Sequence, residues 1–207
     1  EVINILYNFD KINNENNISY LYQMLNKFPS LYAFCYSDKI EKLFHKLGLN
    51  VISLGTIPLI RIERPRIGKY LTPWHQDKWY SGDFSNSFVL WFPLSKSKDV
   101  GGIEIIPSSH KKGFYKFKKR NNYFNEQYQA IINTKNKSKK IYLKIGEAVI
   151  FNQFLLHKSL ENNSKKNCRI SCQIRFNSIK NTNPSKTSFE VKHSKNVKKL
   201  HRKLLIK

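Results

Sequence analysis

From residue 51 onward the chain is a succession of short β-branched and aromatic runs, at 51–56, 59–64, 88–94, 103–106, 141–143, 148–151 and 169–176, bounded by Gly, Pro, Asn and Asp. Many short strands with turn signals between them bury their apolar sides best in a sandwich or barrel of jelly-roll type. The segment upstream reads as helical, from about residue 18 to 50. There Ile40, Leu43, Phe44 and Leu47 recur at i, i+3, i+4 and i+7, with Asp38 and Glu41 placed for a capping box and Gly48 for a stop. His45 falls off that apolar stripe and is expected at the surface. The helices should therefore pack outside a sheet core.

At 207 residues, with 40% hydrophobic and 14% aromatic side chains, the chain suits one domain with a full core. The expected organisation is a single domain over 1–207: a helical part at 1–50, a β core at about 51–178 and a basic tail at 179–207. Within the core, 111–140 is a basic excursion carrying Phe114, Tyr115, Phe117, Tyr123, Phe124 and Tyr128, and a short helix is expected near 125–132. An insertion of that length is suited to a lid or a binding loop, or equally to a solvated excursion whose aromatics pack back on the sheet. The tail carries Val197, Leu200, Leu204 and Leu205 at helical spacing among its lysines, the pattern of a basic amphipathic helix.

No apolar run approaches the ~20 residues of a membrane-spanning helix, and the first residues lack the basic-then-apolar order of a signal peptide. Cys35, Cys168 and Cys172 are too few, and odd in number, for a disulfide framework. A cytoplasmic setting is expected. The formal charge of +23 favours anionic partners, including nucleic acid. Lys, Asn and Ile are abundant together along the whole chain, as biased codon choice produces, and this discounts the charge as a functional signal.

His75 and Asp77 are two residues apart, so on an extended strand both side chains project to one side. His157 lies some eighty residues on, after a turn and an apolar strand at 146–151 that can return it to the same pocket. Two histidines and one carboxylate can hold Fe(II) on one face and leave the opposite face open. Arg169 follows on the next strand with Ser171 two residues beyond it, on the same side. A guanidinium and a hydroxyl so placed can bind the far carboxylate of a dicarboxylic co-substrate. Arg61, Trp74, Gln76 and Trp79 are the candidates for a substrate pocket. Of Arg61, Arg64 and Arg66, at least two are expected at the surface. His110, His193 and His201 are not assigned to the metal.

The blocks TPWHQDKWYSGDFSNSFVLWFPL, GGIEIIPSSHKKG, GEAVIFNQFLLHKSLENN and CRISCQIRF, in this order over roughly residues 55–178, resemble the phytanoyl-CoA dioxygenase-like family of Fe(II)/2-oxoglutarate oxygenases. The resemblance implies a double-stranded β-helix (jelly-roll, cupin-like) core. It also implies iron ligation by His75, Asp77 and His157, 2-oxoglutarate binding by Arg169, and a tryptophan near the co-substrate, for which Trp91 is the candidate. The implied reaction consumes O2 and 2-oxoglutarate, releases succinate and CO2, and hydroxylates an unactivated C–H bond of a small, anionic metabolite or biosynthetic intermediate. Asp77 speaks against halogenation, since halogenating relatives lack that carboxylate, while desaturation, epoxidation and ring formation stay open beside hydroxylation.

Three other readings compete. An AlkB-type nucleic-acid demethylase is suggested by HQDK, by the six-residue spacing of Arg169 and Arg175 and by the basic charge, but the GGIEIIPSSH block belongs to the first family. A non-catalytic jelly-roll binding module would need no intact ligand set. A scaffold driven by charge alone gives no reason for the spaced His, Asp, His and Arg.

Overall fold

The computed structural model describes residues 21, 23–49, 52–65, 71–81, 87–95, 100–121, 126–132 and 137–178. The basic tail, Arg66, His193 and His201 lie outside them. Among the described residues ten strands form three antiparallel sheets. The largest is built around β10 (Arg169–Ser178), which pairs on one edge with β1 (Ile52–Leu54) and β2 (Leu59–Glu63) and on the other with β3 (Ser87–Pro93), itself paired with β8 (Val149–Asn152). A second sheet has the order β7 (Lys139–Ile141), β4 (Ile103–Ile105), β9 (His157–Ser159). A hairpin of β5 (Phe117–Asn121) and β6 (Glu126–Ala130) is the third.

Period-two alternation gives the main sheet two different faces. On the outer one, Leu90, Cys172, Ile174 and Phe176 pack with Cys35, Ile40 and Phe44 of helices α1 (Pro29–Cys35) and α2 (Asp38–Lys46), with the Phe44 and Phe176 rings 4.6 Å apart. Asn26 ties the preceding helical segment to β2 by accepting from the Ile60 amide at 2.7 Å. On the inner face Val89, Trp91 and Phe151 meet Ile103 of the second sheet and Leu155. The helices therefore cover the sheet from outside, as the periodicity predicts, and the space between the sheets is left for a site. Among the described residues no helix is long and apolar enough to cross a membrane.

Two local expectations change. Ser37, not Asp38, is the N-cap of α2; its hydroxyl donates to the Phe34 carbonyl at 2.8 Å, and no capping box forms. Pro29 starts α1 only nine residues earlier, so the chain turns at Ser37 between two short helices and the turn takes the cap. The helix expected near 125–132 is strand β6. Phe117 and Tyr128 both reach Trp79, with centroids 4.8 and 6.2 Å away, and that shared aromatic contact selects the extended hairpin over local helix propensity. Gly48 ends α2 as read, at φ 78°.

Candidate metal centre

His75 and His157 face each other on an isolated antiparallel bridge, each donating its amide to the other's carbonyl, at 2.9 and 3.1 Å. This bridge continues the second sheet past β9 and brings residues 82 positions apart to a ring separation of 4.1 Å. Asp77, two residues beyond His75, opens the short helix α3 (Lys78–Ser81). One donor atom from each of His75, Asp77 and His157 falls within 4.8 Å of the others. The histidine Nε2 atoms are 3.8 and 3.6 Å from the Asp77 oxygens. Asp77 is fully buried and both histidines nearly so.

The second nitrogen of each ring is already used. His75 Nδ1 lies 2.9 Å from the Pro73 carbonyl and His157 Nδ1 3.0 Å from that of Leu155. A carbonyl only accepts, so each Nδ1 carries the proton and each Nε2 presents a lone pair to the centre. Burial keeps both rings neutral: desolvation, reinforced by His157, lowers the His75 pKa to about 3, and desolvation lowers that of His157. For Asp77 burial pushes upward, but the Arg175 guanidinium, which also donates to it, outweighs that and holds the carboxyl below its usual range. Two neutral imidazoles and one carboxylate, converging and buried, are a donor set that fits a divalent iron.

Asp77 is oriented from the main sheet. Gln173 Nε2 donates to Oδ2 at 2.9 Å and Arg175 Nη2 to Oδ1 at 2.6 Å. Gln173 and Arg175 alternate with Arg169 and Ser171 along β10, so all four share the inner face. Tyr80 completes this wall: its ring lies 6.0 Å from the His75 ring and 6.0 Å from the Arg175 guanidinium. The roles of Gln173 and Tyr80 escaped the sequence reading. For Gln173 the signal was present, since the RISCQIR run alternates polar and apolar residues through to Arg175.

The remaining candidates divide. Trp91 is buried in the inter-sheet core, opposite Gln173 and Val149 in register. Arg169 is buried on the inner face and ion-paired with Glu63. Arg61 lies opposite Ser171. Arg61 and Arg64 are both half-buried, where at least two of Arg61, Arg64 and Arg66 were expected at the surface. Trp74 and Trp79 pack around Ile106, Ala130 and Leu156 beside the hairpin. Gln76, a pocket candidate that was also expected to point away from the metal, does point away and supports the backbone instead. It is fully buried and its amide is committed to backbone, donating to the carbonyls of Gly113 at 2.8 Å and Phe154 at 2.6 Å and accepting from the Tyr115 amide at 3.0 Å. Being one residue from each of two inward ligands, it must point the other way. His110 is exposed and apart from the centre.

Comparison with known proteins gives the same picture. The profile of the phytanoyl-CoA dioxygenase (PhyH) family matches residues 22–171. The 1-deoxypentalenic acid 11-beta-hydroxylase of Streptomyces exfoliatus is 30% identical over 105 residues, and that of Streptomyces arenae 31% over 100. Each match covers 45% of this chain and only 35% of the relative's own length. Among solved structures, the epimerase SnoN in complex with Fe3+, alpha ketoglutarate and nogalamycin RO superimposes with a TM-score of 0.58 at 14% identity, over 73% of this chain and 59% of that one. EvdO2 from Micromonospora carbonacea var. aurantiaca, complexed with 2-oxoglutarate, gives 0.56 at 15% identity, over 75% and 67%. These structural likenesses concern the fold. The buried His75, Asp77 and His157 form the ligand set that iron- and 2-oxoglutarate-dependent oxygenases use, and with the family profile matching most of the chain, residues 22–171, the chain belongs to the phytanoyl-CoA dioxygenase (PhyH) family.

Proposed function

We propose that the protein is an Fe(II)/2-oxoglutarate-dependent dioxygenase that hydroxylates an unactivated C–H bond of a small, anionic metabolite or biosynthetic intermediate, releasing succinate and CO2. The observation that carries this reading is the convergence of two neutral histidine Nε2 atoms and one ionised carboxylate within 4.8 Å in a buried site. The core that holds them is read as a double-stranded β-helix. Iron and 2-oxoglutarate, when bound, supply the activation of O2.

The chain's own residues bind, orient and exclude water. His75 and His157 offer fixed lone pairs because Pro73 and Leu155 hold their protons on the far nitrogens. Asp77 offers a carboxylate whose direction Gln173 and Arg175 set. Arg169 with Ser171 is the anchor for the far carboxylate of 2-oxoglutarate. It lies four residues from Gln173 on the same face, roughly 13 Å along the strand, a span that a five-carbon diacid and an arginine side chain can fill. Trp91, opposite Gln173 in register, is the tryptophan assigned beside the co-substrate. Arg61, on the inner face of β2, supports the preference for an anionic substrate.

Anaerobic titration of the apo-protein with Fe(II), with and without 2-oxoglutarate, tests the reading. A visible metal-to-keto-acid absorption band that Arg169→Met weakens and Asp77→Ala abolishes is expected. A folded protein that binds metal yet shows no band with 2-oxoglutarate would overturn it and favour a non-catalytic binding module.

A further inference from the structure

The inner faces of β2 and β10 set charged side chains in register: Glu63 opposite Arg169 and Arg61 opposite Ser171. Glu63 and Arg169 are both buried, and Glu63 Oε2 is ion-paired with Arg169 Nη2. Arg169 Nη1 donates to the carbonyls of Gly102 and Leu160, 2.9 Å each. Its Nε is buried with no hydrogen-bond partner among the described residues. On the other side, Glu63 Oε1 lies 3.9 Å from Nε of Arg61 and 3.5 Å from the Ser159 hydroxyl. One carboxylate thus stands between two guanidiniums, held by the one that the co-substrate needs.

We propose that Glu63 is a resident competitor for 2-oxoglutarate: its carboxylate occupies Arg169 in the resting protein and transfers to Arg61 when the far carboxylate of the co-substrate arrives. This rests on the reading of Arg169 as the co-substrate anchor. The two carbonyls fix one side of the guanidinium, so an incoming carboxylate has only Nη2 and Nε to use. Nε is unfilled and Glu63 holds one of the two Nη2 protons, so a carboxylate arriving on the Nε–Nη2 edge competes with Glu63 at Nη2. A buried arginine cannot be left uncompensated, which gives the resting protein its reason to keep an anion there. A second carboxylate on the same guanidinium repels the first. Arg61, half-buried and two residues before Glu63 on the same face, receives it, so the ion pairing of Glu63 is conserved. The exchange also selects. An internal carboxylate competes at high effective concentration, so a ligand must bring a second anchor to displace it. 2-Oxoglutarate has one in its keto-acid end, and a simple monocarboxylate does not.

Calorimetric titration of 2-oxoglutarate into the full chain loaded with redox-inert Ni(II) reads this without turnover. Glu63→Gln is expected to tighten binding by about tenfold, the scale of one charge-assisted contact no longer displaced. Arg61→Gln, which removes the refuge of Glu63, is expected to weaken binding several-fold, and that loss should vanish in the Glu63→Gln background. Should Glu63→Gln fail to fold, Glu63→Asp draws the charge back by one methylene and should tighten binding with the same sign. Unchanged or weaker affinity in the Glu63 variants, with Arg169→Met weakening binding, overturns the exchange while leaving Arg169 as the anchor. An equal loss from Arg61→Gln in both backgrounds overturns it too, since Arg61 would then touch the ligand itself. If Arg169→Met binds like the parent, the reading beneath the proposal fails.

Discussion

Asp77 is the residue on which the two sheets act together. Its backbone follows the strand bridge of the second sheet, and its oxygens are held from the first by Gln173 and Arg175. Removing Arg175 leaves a buried carboxylate short of its cation, so Arg175→Met is expected to destabilise the metal-free protein by about 3 kcal/mol. It should also weaken Fe(II) affinity by about 10- to 100-fold in a metal titration, with the circular dichroism spectrum kept. The inner alternation Arg169, Ser171, Gln173, Arg175 was legible in the sequence. Which carboxylate each arginine meets was not, because Glu63 and Asp77 arrive from β2 and from the turn before α3, and pairing across strands is a property of register. Two thiols give a second test at this scale. Burial raises Cys35 to about 11, and burial with the neighbouring Cys35 raises Cys172 to about 12. Above pH 9 the unfolded chain loses these protons and the folded chain keeps them. Stability is therefore full below pH 9 and falls as pH rises towards 11, by at most about 1.4 kcal/mol per pH unit for each thiol. Denaturant midpoints between pH 8 and 10.5 should decline more steeply in the parent than in a Cys35→Ala, Cys172→Ala variant.

Among the elements, the β5–β6 hairpin is the one most closely joined to the centre. Tyr80 accepts a hydrogen bond from the Tyr128 amide at 3.1 Å while its ring approaches His75, and Gln76, between two ligands, holds the Tyr115 amide and the Gly113 carbonyl just before β5. Gln76→Leu strips partners from three backbone groups around a buried site. A loss of about 3 kcal/mol is expected, together with faster amide exchange at 113–117 and 154–157 than elsewhere in the core. The sequence contained the hairpin's aromatics but not their partner, so Glu126, Gln127, Gln129 and Ala130 read as a helix. Only the contact with Trp79 shows that β6 needs an extended backbone. Likewise β9 is three residues of His, Lys and Ser, with no apolar run to betray a strand, and is fixed by pairing with β4. The longer runs 59–64, 88–94 and 169–176 were plain because alternate residues of each, among them Ile60, Leu90 and Ile174, pack in the helix-side core.

At the scale of the whole molecule, the metal centre lies where the sheets meet, and its ligands come from segments far apart in the chain. The sequence announced this through the recurrence of His, Asp, His and Arg in order, and the resemblance turned the recurrence into a site. What no single sequence conveys is that the site is prebuilt. The rings are already neutral and oriented by Pro73 and Leu155, and the carboxylate is already ionised and gripped. A prebuilt site spends little binding energy on ordering, so metal binding should appear almost wholly as stabilisation of the folded state. At a free metal concentration one hundred times Kd the gain is about 2.7 kcal/mol, or about 5–10 °C for a chain of this size. Thermal unfolding with Ni(II) or anaerobic Fe(II) should show that rise, and a chelator should reverse it. Asp77→Ala should show none, even where its metal-free midpoint stays measurable. A rise of the same size in Asp77→Ala would mean that the metal sits elsewhere, and the histidine-rich bridge would then be a structural joint between the sheets rather than a centre for chemistry.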